Sequence, residues 1–232
     1  MMAVVLAGGE GIRLRPLTYS IPKPLIPVGE KPILEEIISR LRRFGFDEIV
    51  LAVGYRGELI ETYFRDGEAF GVRIQYVRES KPLGTAGALA IVRRQFAPSE
   101  ALLVMNGDIL TKLDYGALYR WHREQRCDLT VATRTYEEQV PYGLVQIEGQ
   151  RVTGMVEKPV QRHNVSAGIY VLEPDILCDV PDDTFIDMPF FVVELLARGK
   201  QIGAYQFDDP WLAVDRLDQL EEANRLIAEW TE

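Results

Sequence analysis

The first 133 residues alternate between short apolar runs and segments in which apolar residues recur every three or four positions. The short runs predict buried strands, and the recurring pattern predicts amphipathic helices that cover them. Strands are predicted at Met2–Ala7, Asp47–Val53, Val72–Val77, Ala101–Met105 and Asp128–Thr133, and helices at 32–44, 59–64, Thr85–Phe96 and Tyr115–Arg126. This βα alternation with short connections favours a parallel sheet covered by helices on both faces.

The pattern changes after Thr133, where strands follow one another with only turns between them. Strands are predicted at Tyr142–Ile147, Arg151–Val156, Ser166–Leu172 and Gln201–Tyr205, and helices at Phe190–Leu196 and Leu217–Trp230. No linker, repeat or low-complexity tract divides the chain, so a single domain is expected over residues 1–232.

Composition narrows the classes of partner. The 232 residues carry a net charge of -9, which disfavours nucleic-acid binding because that requires a basic face. No apolar run reaches the length of a membrane span, and no basic segment precedes an apolar one as in a signal peptide. The two cysteines and two histidines form no cluster typical of zinc. A cytoplasmic protein without a membrane partner is therefore expected.

The loop after the first strand is the first candidate site. Gly8, Gly9 and Gly11 are followed within a few residues by Arg13. Open α/β sheets bind ligands at the carboxyl ends of strands, and glycines there let backbone N–H groups approach phosphate oxygens. A tight turn with surface arginines remains the alternative. The spacing matches neither a dinucleotide fingerprint, which needs glycine where Leu14 stands, nor a P-loop.

Longer motifs make the sequence recognisable. LAGGEGIRLRPLT followed by PKPLIPV resembles the signature of sugar-1-phosphate nucleotidyltransferases. The resemblance continues in family order through PLGTAGAL (82–89), MNGDIL (105–110), VPYGLV (140–145), VEKP (156–159), SAGIYVL (166–172) and WLAVDRLDQLEEAN (211–224). It implies an α/β, Rossmann-like three-layer fold (GT-A-like) with a mixed, mostly parallel sheet. Residues 1–133 would bind the nucleotide and 134–232 the sugar, and no C-terminal β-helix is expected because the sequence ends at Glu232.

The resemblance also assigns roles on the nucleotide side. Lys23 and Arg13 would be catalytic cations near the reacting phosphates, where negative charge grows as pyrophosphate leaves. A lysine between two prolines is otherwise typical of an exposed surface. The residues implied to bind the nucleotide are Leu6, Ala7, Gly8, Gly9, Gly11, Gly84, Thr85, Gly87 and Asn106.

On the other side, the resemblance implies a sugar site and a metal site. Lys158 would contact the sugar phosphate as a third catalytic cation. The sugar itself would be bound by Tyr142, Gly143, Glu157, Ser166 and Gly168. Asp108 follows an apolar strand beside the expected phosphate site, and carboxylates of this kind bind Mg²⁺. Mg²⁺ is the expected cofactor.

Three positions depart from the family pattern. Ile12 stands in place of threonine, and Ser166 in place of asparagine. Ala213 occupies the position of the family's second metal-binding aspartate. Asp215 faces the same side two residues later, so it is a candidate for the second metal ligand. Because Asp is a favoured N-cap, Asp215 could instead cap the helix that starts near Leu217.

The implied activity is transfer of a nucleotidyl group from a nucleoside triphosphate to a sugar 1-phosphate, as in the nucleotide-sugar synthesis that serves cell-surface polysaccharides. The forms PLGTAG, YEEQVPYGLV and FIDMP are most similar to guanylyltransferases, which favours GTP. UTP, dTTP or CTP, with another sugar 1-phosphate or a phosphorylated alcohol, remain alternatives. A regulatory homologue that binds a nucleotide sugar with little turnover is a further alternative, and a homodimer is possible.

Overall fold

A computed structural model describes residues 1–79 and 81–231 of the chain. Its strands are β1 Met2–Ala7, β2 Pro27–Val28, β3 Lys31–Pro32, β4 Glu48–Val53, β5 Arg73–Arg78, β6 Leu102–Asn106, β7 Ile109–Thr111, β8 Leu129–Gln139, β9 Leu144–Glu148, β10 Arg151–Val156, β11 Val160–Leu172, β12 Ile202–Gln206 and β13 Trp211–Ala213. Its α-helices are α1 Ile33–Arg43, α2 Gly57–Phe64, α3 Gly84–Phe96, α4 Tyr115–Gln125, α5 Met188–Ala197 and α6 Leu217–Thr231. In the described part of the chain, no helix is both long and apolar enough to cross a membrane.

Seven strands form the central sheet, in the order β12-β8-β11-β6-β1-β4-β5. All neighbouring pairs are parallel except those made by β11, which is antiparallel to both β6 and β8. The expectation of a mixed, mostly parallel sheet is therefore confirmed. One reversed strand is possible here because β11 enters from a hairpin and needs no helical crossover.

Side chains of the central strands alternate between two buried cores. Ala3 and Val5 of β1 face one core, which also contains residues of α1, α4 and α6. Val4 faces the other core, where α3 and α5 pack. Because strand side chains alternate, a central strand with helices on both sides must be apolar throughout. The predicted three-layer arrangement is confirmed.

The two strands that flank residues 140–159 are longer than predicted. β8 continues to Gln139 and β11 already begins at Val160, so the two pair along a ribbon that projects beyond the sheet. Arg162 Nε lies 2.8 Å from Glu137 Oε1 across this ribbon, and most of its side chains are exposed. Because charged residues pair across this ribbon, its sequence shows no alternation of apolar and polar residues. Hydrophobicity therefore predicted only the buried ends of β8 and β11. β9 and β10 form a separate two-stranded hairpin.

Candidate active site

A cleft of about 700 Å³ opens at the carboxyl ends of the parallel strands. Gly8, Gly54, Glu79 and Gly107 each follow one of these strands, and all four line the cleft. The Gly107 N–H donates to the Leu6 carbonyl at 2.8 Å, which continues the pairing of β1 with β6 to the cleft floor. The cleft is lined by these residues from the sequence-based prediction: Leu6, Ala7, Gly8, Gly9, Gly11, Arg13, Lys23, Gly84, Thr85, Asn106, Asp108 and Asp215.

The glycine loop is folded tightly against the segment that carries Lys23. Gly11 has φ +61°, and a methyl group there would lie 2.9 Å from Thr18 Cγ2 and 3.1 Å from Lys23 Cβ. The buried Thr18 hydroxyl donates to the Gly11 carbonyl at 2.9 Å. Only glycine tolerates both this backbone conformation and this close approach. Gly11 therefore fixes the loop beside Lys23.

Lys23 joins two carboxylates at the centre of the cleft. Its Nζ lies 2.5 Å from Asp108 Oδ2 and 2.6 Å from Asp215 Oδ1, and the residue is only 8% exposed. Arg13 Nη2 lies 3.0 Å from the other oxygen of Asp215. The interpretation of Lys23 as an exposed surface lysine is thus wrong. Residues separated by nearly two hundred positions meet in one network of alternating charge.

Asp215 reaches this network because the preceding residue is tied to Asp108. β13 pairs with β7, and the Val214 N–H then donates to the Asp108 carbonyl at 2.9 Å. The Asp215 carboxylate contacts Lys23 and Arg13, whereas the Gln219 side chain accepts the N–H groups of Asp215 and Arg216, just before α6. Capping of α6 is therefore not the role in which the structure places the Asp215 side chain.

The two aspartates are a suitable donor set for Mg²⁺. Asp108 Oδ1 is buried and receives no hydrogen bond from the described residues, although a carboxylate oxygen in such a place needs a partner. Mg²⁺ typically binds one or two carboxylates and completes its shell with water and substrate phosphates. Residues 1–79 and 81–231 contain no group of three or more acidic, histidine or cysteine side chains arranged to hold a metal. The fit is therefore to an ion shared with a substrate.

The start of α3 is held by the segment 184–188. The Gly87 N–H donates to the Ile186 carbonyl at 3.2 Å, and a methyl group on Gly87 would lie 2.8 Å from the Thr184 carbonyl oxygen. Gly87 is buried in this packing and does not line the cleft, which differs from the sequence-based prediction. Thr85 does line it, and its hydroxyl accepts the Met188 N–H at 2.7 Å.

Glu79 is a cleft residue that the sequence reasoning missed. Its Oε2 accepts the Leu83 N–H at 2.9 Å, and its Oε1 faces Gly8. Burial raises the pKa of the Glu79 carboxyl, and the Leu83 N–H partly opposes this effect. A glutamate one residue beyond the end of β5 was the available signal, by the same strand-end rule that selected Asp108.

The predicted sugar residues lie outside the cleft lining. Tyr142 is 74% exposed, and the side chain of Glu157 is 72% exposed beside Gly143 near the β9–β10 hairpin. Lys158, with φ +43°, is in the same exposed region, and its Nζ lies 4.0 Å from Glu157 Oε1.

The two other predicted sugar residues belong to β11. Gly168 packs against Asn106, which lines the cleft: a methyl group on Gly168 would lie 2.7 Å from Asn106 Nδ2. Ser166 Oγ lies 3.0 Å from the Tyr170 hydroxyl and also accepts the Gly168 N–H. The structure therefore gathers the nucleotide-side and metal-side residues, except Gly87, in the cleft. Gly168 is buried beside the cleft residue Asn106, and the other sugar-side residues lie on an adjoining open face.

Comparison with known proteins now decides the family. The model of the family described as "Nucleotidyl transferase" matches residues 2–229. The chain belongs to the nucleotidyl transferase family. The resemblance drawn from the sequence motifs is thereby confirmed.

Three known proteins illustrate the similarity. The UTP–glucose-1-phosphate uridylyltransferase of Synechocystis sp. is 33% identical, covering 97% of this chain and 63% of its own. The mannose-1-phosphate guanylyltransferase of Mycobacterium tuberculosis is 37% identical over a region that covers 77% of this chain and 50% of that protein. Among solved structures, HddC from Yersinia pseudotuberculosis complexed with GMP-PN has a TM-score of 0.76 and is 25% identical in sequence. The match covers 97% of this chain and 99% of the HddC chain. The chain thus spans about half to three-fifths of the length of these two curated relatives.

Proposed function

We propose that this nucleotidyl transferase forms a nucleotide sugar from a nucleoside triphosphate and a sugar 1-phosphate, and that the triphosphate is GTP. The observation that carries the proposal is the Lys23-centred network beside the glycine loop, at the ligand-binding edge of the sheet. Relatives of this chain are named as uridylyl- and guanylyltransferases of sugar 1-phosphates, which supports the reaction class.

The chemistry requires positioning and charge neutralisation. A phosphate oxygen of the sugar 1-phosphate attacks the α-phosphorus, the α–β bridging P–O bond breaks, and pyrophosphate leaves with that electron pair. The nucleophile is already an anion, so no general base is needed. Arg13 has an exposed guanidinium at the mouth of the cleft, where it can follow the leaving phosphates, and cations placed where charge develops lower the barrier.

Asp108 and Asp215 would hold Mg²⁺ together with the triphosphate. When bound, the ion would neutralise charge on the phosphates as they separate. Lys23 meanwhile keeps the two carboxylates close together, since both lie within 2.6 Å of its ammonium. Lys158 is proposed to reach the phosphate of the sugar from the adjoining open face.

Glu79 supports guanine as the base. On its Watson–Crick edge guanine presents two adjacent donors, N1–H and N2–H₂, which a carboxylate can accept together. Uracil and thymine present one donor between two carbonyl oxygens, which a carboxylate would repel. Because burial disfavours the ionised Glu79 side chain, a ligand edge with two donors would stabilise it. HddC in complex with GMP-PN and the guanylyltransferase relative are consistent with this choice.

Pyrophosphate release tests the proposal. Purified protein with Mg²⁺ is supplied with GTP, ITP, UTP, dTTP, CTP or ATP and a panel of sugar 1-phosphates. ITP lacks the N2 amino group, so we expect kcat/KM to fall by about 10- to 100-fold, corresponding to about 1–3 kcal/mol for a lost specific contact. In the Glu79→Gln variant, the ratio of kcat/KM for GTP to kcat/KM for ITP should approach one.

The outcomes separate the parts of the proposal. A preference for UTP or dTTP would leave the transfer reaction in place and refute guanine recognition. No release with any pair, together with calorimetric binding of a nucleotide sugar, would refute the enzyme and support a regulatory homologue.

A further inference from the structure

Gln219 is buried neither in the core nor in the cleft, yet it contacts the backbone that carries Asp215. Its Oε1 accepts the Asp215 N–H at 2.9 Å and the Arg216 N–H at 3.0 Å. Arg216 immediately precedes α6, and Gln219 is the third residue of that helix. A Glu or Gln at this position commonly reaches back to the first free N–H groups of a helix.

This contact fixes the backbone from which the Asp215 carboxylate extends. The N-terminus of α6 leaves backbone N–H groups without partners inside the helix, and an aspartate just before it would ordinarily accept them. Here both Asp215 oxygens are directed at Lys23 and Arg13 instead, and the side-chain oxygen of Gln219 accepts the N–H groups of Asp215 and Arg216, which lead into the helix.

We infer that Gln219 is a positioning residue for the shifted carboxylate of Asp215, which stands in for the aspartate missing at Ala213. The inference rests on the proposed function of Asp215. Two ties hold the Asp215 backbone: Val214 is bonded to the Asp108 carbonyl on one side, and Gln219 binds the amides of Asp215 and Arg216 on the other. Loss of the second tie frees the Asp215 backbone to turn, and the carboxylate then loses its fixed place beside Lys23 and Asp108.

The test compares Gln219→Ala with Gln219→Glu, which keeps an acceptor oxygen in the same place. Hydrogen exchange by NMR measures whether the Asp215 and Arg216 amides are released. Mn²⁺ affinity, measured by electron paramagnetic resonance with a non-hydrolysable GTP analogue, reports the carboxylate pair without turnover. We expect Gln219→Ala to weaken Mn²⁺ binding and lower kcat by about 10-fold, as for partners that orient metal ligands, while the KM for GTP is unchanged. Gln219→Glu should restore both.

Asp114→Ala provides a matched control for loss of a helix cap. The Asp114 side chain accepts the Ala117 N–H at 2.7 Å at the start of α4 and does not line the cleft. The Asp114→Ala variant should lower the melting temperature about as much as Gln219→Ala does and leave the Mn²⁺ affinity unchanged. In an Asp215→Ala background, Gln219→Ala should have no further effect on Mn²⁺.

Each result decides the inference. It is overturned if Gln219→Ala binds Mn²⁺ as the wild type does, or if Asp114→Ala weakens Mn²⁺ binding equally. Absence of pyrophosphate release by the wild type would refute the proposed function instead, because the exchange and Mn²⁺ measurements do not depend on turnover.

Discussion

Replacing Lys23 by methionine is the most direct perturbation of the cleft. Methionine preserves most of the side-chain volume and removes the ammonium that lies 2.5 and 2.6 Å from two carboxylate oxygens. Those oxygens are therefore at most about 5 Å apart, and Coulomb's law with an effective dielectric constant of 20 gives about 3 kcal/mol of repulsion at that distance. Arg13 still neutralises part of the Asp215 charge.

We expect Lys23→Met to lose about 2–4 kcal/mol of unfolding free energy, because a charge pair that loses its shared cation is left partly buried. For a chain of this size the melting temperature should fall by roughly 5–15 °C. Without nucleotide, millimolar Mg²⁺ should recover much of this loss in the variant and stabilise the wild type far less, since the Lys23 ammonium already neutralises both carboxylates when no triphosphate is bound. Urea unfolding and thermal melts with and without Mg²⁺ measure both effects.

Lys81→Met is the matched control, because Lys81 is exposed on the same cleft and its removal changes the net charge equally. It should shift stability by no more than about 0.5 kcal/mol, as is usual for surface substitutions. The reasoning would be refuted if the two variants were equally stable, or if Mg²⁺ stabilised Lys23→Met no more than the wild type.

Two further predictions test the metal site and a buried histidine. Asp215→Ala should reduce kcat by at least about 100-fold. Adding Ala213→Asp to this variant places an aspartate where the family resemblance expects one, and the rate of pyrophosphate release should then recover about tenfold or more. No recovery would show that a side chain at position 213 cannot reach the ion. Burial lowers the pKa of His122 from the ordinary 6.5, although Glu173 opposes the shift, so the folded chain resists protonation. Stability from neutral His122 is complete above pH of about 6.5 and is lost as pH falls through the lowered folded pKa. His122→Asn, which can keep the bond to Thr130, should therefore gain stability relative to wild type as the pH falls below about 6.5. A constant difference in unfolding free energy across urea titrations from neutral pH downward would contradict this.

The sequence predicted the buried parts of the fold well because burial imposes a readable pattern. The strands β1, β4 and β6 are apolar on both faces, and each was predicted within two residues of its observed bounds. The β8–β11 ribbon was predicted only in part, since its outer half is exposed on both sides and its charged pairs follow no apolar periodicity.

The site was predicted from residues at strand ends and from family motifs, and these signals identify single residues rather than the contacts between them. They identified Lys23, Asp108 and Asp215 but not the network that joins them, because contacts over such sequence separations depend on the complete fold. Gln219 escaped notice for a different reason: its role is a side-chain bond to a backbone turn, and a glutamine on an amphipathic helix has no distinctive spacing.

The hairpin between β8 and β11 has a consequence for engineering the protein. No buried core residue lies between Ala132 and Ala167, and the hairpin is closed at its base where the Val140 N–H donates to the Pro159 carbonyl at 3.0 Å. Residues 140–159 thus form a transplantable module whose exchange leaves both cores intact. We expect that grafting this module from relatives that use other sugar 1-phosphates will change the substrate preference, because the proposed sugar-side residues Tyr142, Glu157 and Lys158 lie within it.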